Sequence, residues 1–428
     1  MALTVRGHRG ATSPLPPGAL TVGAGLLVSG ICTYAFLAIT GHTLTPERYS
    51  AFAGFWAVLF VVAPGVFLPL EQELGRAIAA RRARSAGSGP VLRRCALIGG
   101  AFLAALLLVG GLGFVSIDAH LLGADTVLMA ALLLGLTAYC AEHIARGTLG
   151  GSGRFGAYGL LLGAEGIFRV LFCAVLAALH VRTPGPYGLA VVVASFAAVA
   201  AAIAGQRGLN APGPPSASTE VTAALGSLLL ASLATQFMFN GGTVVVQLLA
   251  PPGERRAAGT FLNGRVLAFI PLFLFQAVTA ALLPRLSALH SSDAQSEFRR
   301  TLVRLLLLVG VLGALSISGA FALGPLALRL VFGPAFRLTR VDLAILAAGC
   351  TALMTAQALG QGLIARCRFG AVVAGWMCGV AVFFGLVFAL HPLLLRVEVA
   401  LAGGGLAAAV VLGALQPTLW RRAGLRDA

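Results

Sequence analysis

The sequence predicts an all-α polytopic membrane protein, with about 12 transmembrane helices in two six-helix lobes. Of its 428 residues, 58% are hydrophobic and only 10% are charged, and the mean hydropathy is +0.94. A soluble domain carries about 25% charged residues. Because the chain lacks polar residues to cover a water-facing surface of this size, its solvent is predicted to be lipid.

Apolar runs of spanning length recur along the whole chain. A transmembrane helix needs about 20 apolar residues. The predicted spans are 18–40, 49–70, 94–116, 125–147, 157–180, 187–205, 223–250, 257–283, 302–324, 341–364, 370–391 and 398–419. The seventh and eighth are long enough to tilt or bend, and Pro271 predicts a kink in the eighth. The first run is predicted to be a retained span because it is too long for a signal sequence.

The arginines predict how the chain is oriented. All 30 basic residues are arginines, and the loops on the side of the two termini hold 20 of them against 7 on the other side. This bias predicts that both termini are cytoplasmic. Since the basic residues are spread between apolar spans, the net charge of +16 reflects membrane topology, and no nucleic-acid partner is expected.

The most basic loop follows the second span, in the stretch FLPLEQELGRAIAARRARSAG at 67–87. Its periodicity predicts a surface helix with Leu74 and Ile78 towards the apolar side. Arg81, Arg82 and Arg84 are interpreted as contacts to anionic headgroups. Two glutamates, Glu71 and Glu73, are interpreted as a headgroup-level cap with Arg76 as a local partner, or alternatively as an inward gate.

An internal repeat divides the chain into two halves. RFGA occurs at 154–157 and again at 368–371, each time between two spans on the predicted cytoplasmic side. We therefore predict an N-terminal lobe over 1–205, a flexible cytoplasmic linker over 206–222 rich in Pro, Ser and Gly, and a C-terminal lobe over 223–428. Two parallel six-span lobes with a cleft between them suit alternating access.

Motifs for other functions are missing from the sequence. It contains no Walker motif, no HExxH and no catalytic-triad signature, and its loops are too short for a nucleotide-sugar domain, so no enzyme activity is expected. Its seven cysteines include no CxxC pair, so neither a metal site nor a disulfide framework is predicted.

Four stretches carry a resemblance to a known superfamily. They are TPERYSAFAGFWAVLF at 45–60, FLPLEQELGRAIAARRA at 67–83, AAGTFLNGRVLAFIPLFLFQAVTAALLPRLS at 257–287 and GPLALRLVFGPAFRLTRVDLAILAAG at 324–349. With the 6+6 arrangement, they resemble the multidrug/oligosaccharidyl-lipid/polysaccharide (MOP) exporter superfamily. Within it the chain looks like the polysaccharide-biosynthesis branch, the Wzx-type flippases.

The resemblance implies two helical bundles around a central cavity in a bacterial cytoplasmic membrane. It implies that a polyprenyl-diphosphate-linked oligosaccharide moves between leaflets by alternating access, with membrane lipids and polysaccharide-assembly proteins as partners. No cofactor is expected. Parts of the superfamily couple transport to an H+ or Na+ gradient, and no motif locates such coupling in this sequence. The resemblance also implies that cationic residues in the cavity bind the diphosphate.

Charged residues at membrane depth are the candidate site because each needs a partner or a wet cavity. In span 8, Arg265 has no acidic neighbour in sequence and a guanidinium suited to bidentate phosphate contacts; Asn263 is close by. The alternative for Arg265 is a side chain that reaches the outer interface. Asn240 in span 7 is a second polar candidate for the cavity wall, or an interhelical hydrogen bond.

Two further spans contain charges that are spaced for pairing. Glu165 and Arg169 in span 5 are at i,i+4, which predicts either a self-neutralising pair or a phosphate-binding arginine oriented by a proton-accepting carboxylate. In span 4, Glu142 is spaced to pair with Arg146, and Glu142 or His143 is a candidate gate or coupling residue.

The main alternative function is an ion-coupled multidrug or organic-cation antiporter of the same fold. Such a protein is expected to hold acidic residues at mid-depth without nearby arginines, because a cationic substrate is repelled by an arginine. The deepest charges predicted here are Arg169, Arg265 and the paired Glu165, which favours an anionic substrate.

Overall fold

A computed structural model gives the fold of the chain. The structure describes residues 18–217, 219–222, 225–254, 256–272, 275–276, 286, 289 and 294–416. Within these ranges all regular secondary structure is helical, and no strand occurs. The α-helices are α1 (Ala19–Thr43), α2 (Pro46–Ala83), α3 (Gly89–Leu112), α4 (Phe114–Leu121), α5 (Thr126–Gly151), α6 (Phe155–Ala178), α7 (Pro184–Ile203), α8 (Thr219–Thr222), α9 (Leu225–Gln236), α10 (Gly242–Leu249), α11 (Ala257–Ala268), α12 (Gln295–Phe332), α13 (Arg340–Ile364), α14 (Phe369–Ala389) and α15 (Leu393–Ala414).

Eleven segments of the described residues are long and apolar enough to cross a membrane. One of them, Leu225–Leu249, combines α9, a π-helical turn at Phe237–Gly241 and α10. The eighth predicted span begins with α11, and most of its remainder, beyond Leu272, lies outside the described residues. Helix α11 ends at Ala268, three residues before Pro271. The prediction of an all-helical polytopic fold with about 12 spans is confirmed.

Several helices are longer than the predicted spans. Helix α2 is 38 residues long, so the predicted surface helix is a continuation of the second span. Leu74 and Ile78, which were predicted to face the membrane from a surface helix, are instead buried within the protein, with Leu74 fully covered and Ile78 2% exposed. Helix α12 also has 38 residues, because both of its ends extend past the apolar run into arginine-bearing turns. The short helix α4 covers the end of predicted span 3 and most of the loop that follows it.

The helices form two lobes that meet along α2. Helix α1 packs on α6, and α2 on α5, within the first lobe; α13 and α14 pack on α15 in the second. Helix α2 contacts α9 and α11 across the interface between the lobes. The boundaries predicted at 205 and 223 remain predictions, although the described helices α7 and α9 end and begin close to them.

The RFGA repeat has the same local structure in both lobes. Arg154 precedes α6 with φ −90° and ψ 58°, and Arg368 precedes α14 with φ −90° and ψ 56°. Each guanidinium donates to a backbone carbonyl near the end of a later helix of its own lobe: Arg154 to Arg207, and Arg368 to Leu415 at 2.8 Å. The repeat is therefore a structural motif that ties the predicted cytoplasmic ends of helices together.

The segment between the lobes packs on the first lobe, and its flexibility as a linker stays a prediction. The Gly89 amide donates to the Ala211 carbonyl at 2.8 Å, and the Ser88 hydroxyl donates to the Leu209 carbonyl at 2.7 Å. A Cβ on Gly87 would lie 1.9 Å from the Pro212 carbonyl oxygen. This contact requires glycine at 87, and Gly213 within the segment is similarly close, because a Cβ there would lie 2.6 Å from the Gly87 carbonyl oxygen.

Arg81 binds this segment. The sequence predicted that Arg81 contacts anionic headgroups, but its guanidinium is not free for that contact. It is 6% exposed and donates to both carboxylate oxygens of Glu220, at 2.7 and 2.9 Å. Its guanidinium also donates to the backbone carbonyls of Gly87, Pro214 and Pro215. The Arg81 guanidinium lowers the pKa of the Glu220 carboxyl below its ordinary value. Arg82 and Arg84 are exposed, as predicted.

Candidate functional site: a cavity between the lobes

A cavity of about 460 Å³ lies where the two lobes meet. Helices α1, α2, α5 and α6 line it on one side, and α9, the π-helical turn, α11, α13 and α14 line it on the other. Six aromatic side chains belong to its wall: Trp56, Phe60, Tyr139, Phe239, Phe269 and Trp376. A mainly apolar wall with a few convergent polar groups is typical of a small-molecule site.

Arg265 contributes a charge to this cavity that no described carboxylate balances. It is 6% exposed, its Nη1 donates to the Phe239 carbonyl at 2.6 Å, and its guanidinium lies 5.3 Å from the Phe269 ring centre. None of the described acidic residues lies within ion-pair distance of it, and its buried Nε has no hydrogen-bond partner there. The side chain faces the cavity and does not reach towards the outer interface.

Glu165 and Arg169 form the predicted pair on α6 and also line the cavity. Tyr139 donates from its hydroxyl to Glu165 at 3.2 Å, and Arg169 donates to the Thr33 hydroxyl at 3.3 Å. The Arg169 guanidinium lies 5.5 Å from the Trp56 ring centre. Both residues are at most 3% exposed, so each charge is held by a neighbour of opposite sign.

Asn240 lies in the π-helical turn of the seventh span and lines the cavity. Its side-chain amide donates to the Phe60 carbonyl of the other lobe at 3.3 Å. A π-helical turn widens the backbone locally, and such turns are frequent at functional sites. Asn240 is therefore both a cavity residue and a hydrogen bond between lobes, so both of the predicted roles are compatible with its position.

Asn263, the remaining predicted binding residue, lies behind the cavity wall. It is fully buried and accepts a 2.5 Å hydrogen bond from the Tyr49 hydroxyl. Since it occurs two positions before Arg265 on α11, its side chain points to a different side of the helix. The geometry gives Asn263 a contact between the lobes in place of contact with a cavity ligand.

The three residues predicted on α5, Glu142, His143 and Arg146, have different surroundings. Glu142 is fully buried and pairs with Arg146 as predicted, and Arg146 lines the cavity. His143 also lines the cavity, and its Nδ1 lies 2.6 Å from Glu71 Oε2. Arg76 pairs with Glu73 at 2.7 Å, as predicted. Glu71 instead contacts His143 of α5 and is not a headgroup cap.

Sequence reasoning missed several residues of the site. Tyr139, Thr33 and Trp56 contact the Glu165–Arg169 pair, but aromatic and hydroxyl residues in an apolar span carry no periodic signal. Glu71 and His143 are 72 positions apart. Only the packing of α2 on α5 brings these two side chains together.

Contacts between the lobes close the cavity on the side away from the arginine-rich loops. Along α2, Glu47 pairs with Arg256 at 2.5 Å, and the Ser50 hydroxyl accepts from the Gly259 amide at 2.9 Å. Tyr49 reaches Asn263 as described, and the Tyr34 hydroxyl donates to the Val266 carbonyl at 2.9 Å. We name these four contacts the outer seal.

A second pocket of about 640 Å³ lies on the far side of the outer seal. Glu47 and Ala51 of α2 line it, whereas Trp56 and later residues of α2 line the cavity. The lining of the cavity continues along α2 to Leu68 and Gln72, towards the arginine-rich end. The conformation is therefore closed at one end of the lobe interface.

Metal binding has no support in the part of the chain described. No group of three His, Cys, Asp or Glu residues there could hold a metal ion. Every described cysteine is unpaired, and of these only Cys367 is exposed.

The fold matches solved structures of transporters at low sequence identity. It is similar to the inward-facing conformation of a multidrug resistance MATE family transporter of the MOP superfamily, with a TM-score of 0.70, 12% identity and coverage of 95% of each chain. The outward-facing conformation gives 0.65 at 13% identity and covers 94% of each chain.

A third similar structure is a MOP superfamily transporter from Pyrococcus furiosus, with a TM-score of 0.67, 13% identity and coverage of 94% of this chain and 95% of that one. For that protein, a reversed polarity of the binding pocket has been reported to suggest a different function. The chain is thus a multi-pass membrane protein with the fold of MATE transporters of the MOP superfamily. This agreement confirms the predicted all-helical, two-lobe fold.

Sequence comparison adds relatives without a known function. The chain is 26% identical over 406 residues to the uncharacterized protein Rv1510 of Mycobacterium tuberculosis, covering 92% of this chain and 90% of that protein. It is 27% identical over 405 residues to the uncharacterized protein Rv3630 of the same species, covering 89% and 87%. No protein-family model matches the chain.

Proposed function

We propose that the protein is a membrane transporter, not an enzyme, and that it moves a polyprenyl-diphosphate-linked oligosaccharide across the bacterial cytoplasmic membrane by alternating access. The observation that carries the proposal is the charge of the cavity. Each other described charge on its wall has a partner of opposite sign, and Arg265 alone has none. An unbalanced arginine in a desolvated cavity attracts an anion and repels a cation.

Arg265 has the chemistry to bind a diphosphate. Its guanidinium presents donors in a planar fork that matches phosphate oxygens, and one of its nitrogens is already held by the Phe239 carbonyl. That bond and the Phe269 ring restrict the rotamers of the side chain before a ligand arrives. A fixed arginine loses less conformational entropy on binding than a mobile one.

Other features of the cavity fit a glycan lipid. The polar side chains of Gln236, Gln357 and Gln361 line the second-lobe side and offer neutral donors and acceptors to sugar hydroxyls. The aromatic residues provide flat apolar faces, and the prenyl chain requires no enclosed volume because it can stay in the surrounding lipid. The sealed outer end and the positive-inside bias support loading from the cytoplasmic leaflet.

An ion-coupled antiporter of organic cations is the second candidate. The aromatic wall supports it, because aromatic faces attract cations, and the similar structures include multidrug resistance MATE transporters. In that function Glu165 is the cation-binding carboxylate. Its ion pair with Arg169 weighs against this role, because a cationic drug has to displace the guanidinium of an arginine on the same helix.

Binding to the purified protein separates the two candidates. The probes are a short-chain polyprenyl diphosphate disaccharide and tetraphenylphosphonium, read by tryptophan fluorescence, since Trp56 and Trp376 line the cavity. We expect the wild type to bind the diphosphate and Arg265→Ala to bind it at least about tenfold more weakly, the loss of one charge-assisted hydrogen bond. Arg265→Lys keeps the charge and is expected to fall between them.

The control variant is Arg337→Ala, at an exposed arginine outside the cavity. It is expected to bind like the wild type. Binding of tetraphenylphosphonium but not of the diphosphate, lost in Glu165→Gln, would establish the antiporter instead.

A further inference from the structure

We propose that the second-lobe wall of the cavity contains a subsite for a neutral sugar, next to Arg265, which binds the first sugar after the diphosphate. Gln357, Gln361 and Trp376 form this sugar subsite. The inference rests on the proposed function, because it names the class of sugar that the diphosphate carries. That sugar is a hexose or an N-acetylhexosamine and not a uronic acid.

The two glutamines of the sugar subsite have buried oxygens that lack a hydrogen-bond donor. Gln357 and Gln361 occur one turn apart on α13, so their side chains share a face of the helix, and both line the cavity. The Oε1 atom of each is buried and has no partner among the described residues. An unsatisfied buried acceptor is unfavourable, and a hydroxyl of a cavity ligand satisfies it. Two such acceptors on one face fit a ligand with several hydroxyls, as a sugar has.

Trp376 of α14 forms the adjoining part of the wall. A Cβ on Gly360, which lies between the two glutamines in the sequence, would be 3.9 Å from the indole Nε1. The indole is thus next to the turn of α13 that carries both glutamines. Trp376 offers an apolar surface together with one N–H donor. This combination suits a pyranose ring, which has apolar C–H faces and hydroxyls at its edge.

Aromatic contacts join the sugar subsite to Arg265. The Phe239 ring centre lies 6.2 Å from that of Trp376 and 6.5 Å from that of Phe269. The Arg265 guanidinium is 5.3 Å from the Phe269 ring centre, and it donates to the Phe239 carbonyl. The anion-binding group and the sugar subsite are therefore adjacent parts of one wall, as a diphosphate bonded to a sugar requires.

The charges of the cavity wall disfavour an acidic sugar. Arg146 and Arg169 are each paired with a glutamate of their own helix, and His143 contacts Glu71. A glycosyl diphosphate already carries more negative charge than Arg265 balances. A sugar carboxylate would add an anion beside neutral glutamines, and burial of an unpaired anion is strongly unfavourable. The sugar subsite therefore selects a sugar with hydroxyl or acetamido groups.

The size of the cavity limits this recognition to the sugar nearest the diphosphate. Its volume of about 460 Å³ is near the lower end of the range of roughly 300–1,000 Å³ for small-molecule sites. Further sugars have to continue along the lining towards Leu68 and Gln72, at the arginine-rich end. The first sugar is thus selected, whereas the length of the remaining glycan is not.

The first measurement compares ligands that differ only beyond the diphosphate. Calorimetry with the full-length protein in detergent uses a short-chain polyprenyl diphosphate esterified with methanol, glucose, N-acetylglucosamine or glucuronic acid. The methyl ester and the two neutral sugar esters have the same charge, so a difference between them measures the sugar alone. We expect a neutral sugar ester to bind at least about tenfold more tightly than the methyl ester, and the glucuronosyl ester at least about tenfold more weakly than that neutral ester.

The second measurement repeats the comparison with variants of the sugar subsite. The double variant Gln357→Leu, Gln361→Leu removes both acceptors and keeps the side-chain size. Its affinity for the methyl ester is expected to stay within about threefold of the wild-type affinity, which also shows that the variant is folded. Its affinity for the neutral sugar esters is expected to fall to that level, and Trp376→Leu is expected to lose part of the preference.

Gln247→Leu is the matched control. Gln247 also has a buried oxygen without a partner among the described residues, but it lines the pocket beyond the outer seal. This variant is expected to keep the wild-type preference for the neutral sugar. A preference that survives in the double variant would overturn the assignment of the sugar subsite to Gln357 and Gln361.

The outcomes separate this inference from the proposed function. If the wild type binds the methyl ester as tightly as both neutral sugar esters, or prefers the glucuronosyl ester, the neutral-sugar subsite is refuted and the diphosphate transporter stands. Failure of all four esters to bind would refute the proposed function, and the sugar subsite with it.

Discussion

Intramembrane arginines in this protein differ in whether a carboxylate accompanies them. Arg169 has Glu165 one turn away on α6, whereas the contacts of Arg265 with the described residues are a backbone carbonyl and an aromatic ring. A buried charge without a partner is strongly unfavourable in a lipid environment. We propose that an anionic ligand supplies the missing charge in the cavity wall.

A double-mutant cycle tests whether Glu165 and Arg169 act mainly as a pair. Removing one partner leaves the other buried and unbalanced, at about 3–5 kcal/mol, so Arg169→Gln and Glu165→Gln are each expected to lower thermal stability in detergent. The double variant is expected to recover a large part of the loss. Its affinity for the diphosphate is also expected to stay within about threefold of the wild-type affinity, because Arg265 remains.

Equal destabilisation in the double and single variants would contradict a pairing role. Loss of diphosphate binding in a stable double variant would place Arg169 among the ligand contacts.

The sequence was informative about single charges and not about contacts between distant helices. Arg265 stood out because no acidic residue is near it in the chain, and the i,i+4 spacing of Glu165 and Arg169 predicted their pairing. Asn263 was predicted for the cavity because it neighbours Arg265, yet the turn of α11 directs it to Tyr49. Glu71 and His143 were beyond prediction as a pair, because helix packing alone determines their contact.

At the scale of helices and loops, the segment between the lobes makes more hydrogen bonds to the first lobe than its composition indicates. Pro, Ser and Gly are typical of flexible linkers, but here Gly213 allows close approach to Gly87, and Arg81 donates to the carbonyls of Pro214 and Pro215. The spans themselves followed from apolar run length, since lipid imposes that length. The ends of the helices did not follow from run length, because α2 and α12 continue through polar turns beyond the apolar core.

Limited trypsin digestion at neutral pH tests this docking. The exposed Arg207 follows α7, and its carbonyl accepts from Arg154. Glu220→Gln removes the charge that Arg81 binds, so we expect faster cleavage after Arg207 and release of the two lobes as fragments. Glu297→Gln, at an exposed glutamate of α12, is the control.

The pH dependence of this contact has a definite sign. Because Arg81 lowers the pKa of Glu220, its stabilising effect is complete above the ordinary carboxylate range and is lost as pH falls through the lowered value. Protection near neutral pH is therefore at its maximum. Cleavage of Glu220→Gln at the wild-type rate would show that the backbone contacts suffice.

At the scale of the whole molecule, the lobes enclose a cavity that the outer seal closes at one end. Its lining residues extend towards the arginine-rich end. The outer seal joins α1 and α2 of the first lobe to α11 of the second. Alternating access requires these four contacts to break so that the cavity opens to the opposite face. The same movement would separate Asn240 from the Phe60 carbonyl, so the cavity changes shape as the seal opens.

The most direct test of the account is leaflet transfer of a polyprenyl-diphosphate oligosaccharide in liposomes that contain the purified protein. We expect the wild type to transfer the lipid, and Arg265→Ala to transfer it at least about tenfold more slowly while Arg337→Ala remains like the wild type. A bis-maleimide crosslink between Glu47→Cys and Arg256→Cys holds the outer seal shut and is expected to stop transfer, which excludes leakage. Transfer that is as fast in Arg265→Ala as in the wild type would contradict the central claim that this arginine binds the diphosphate.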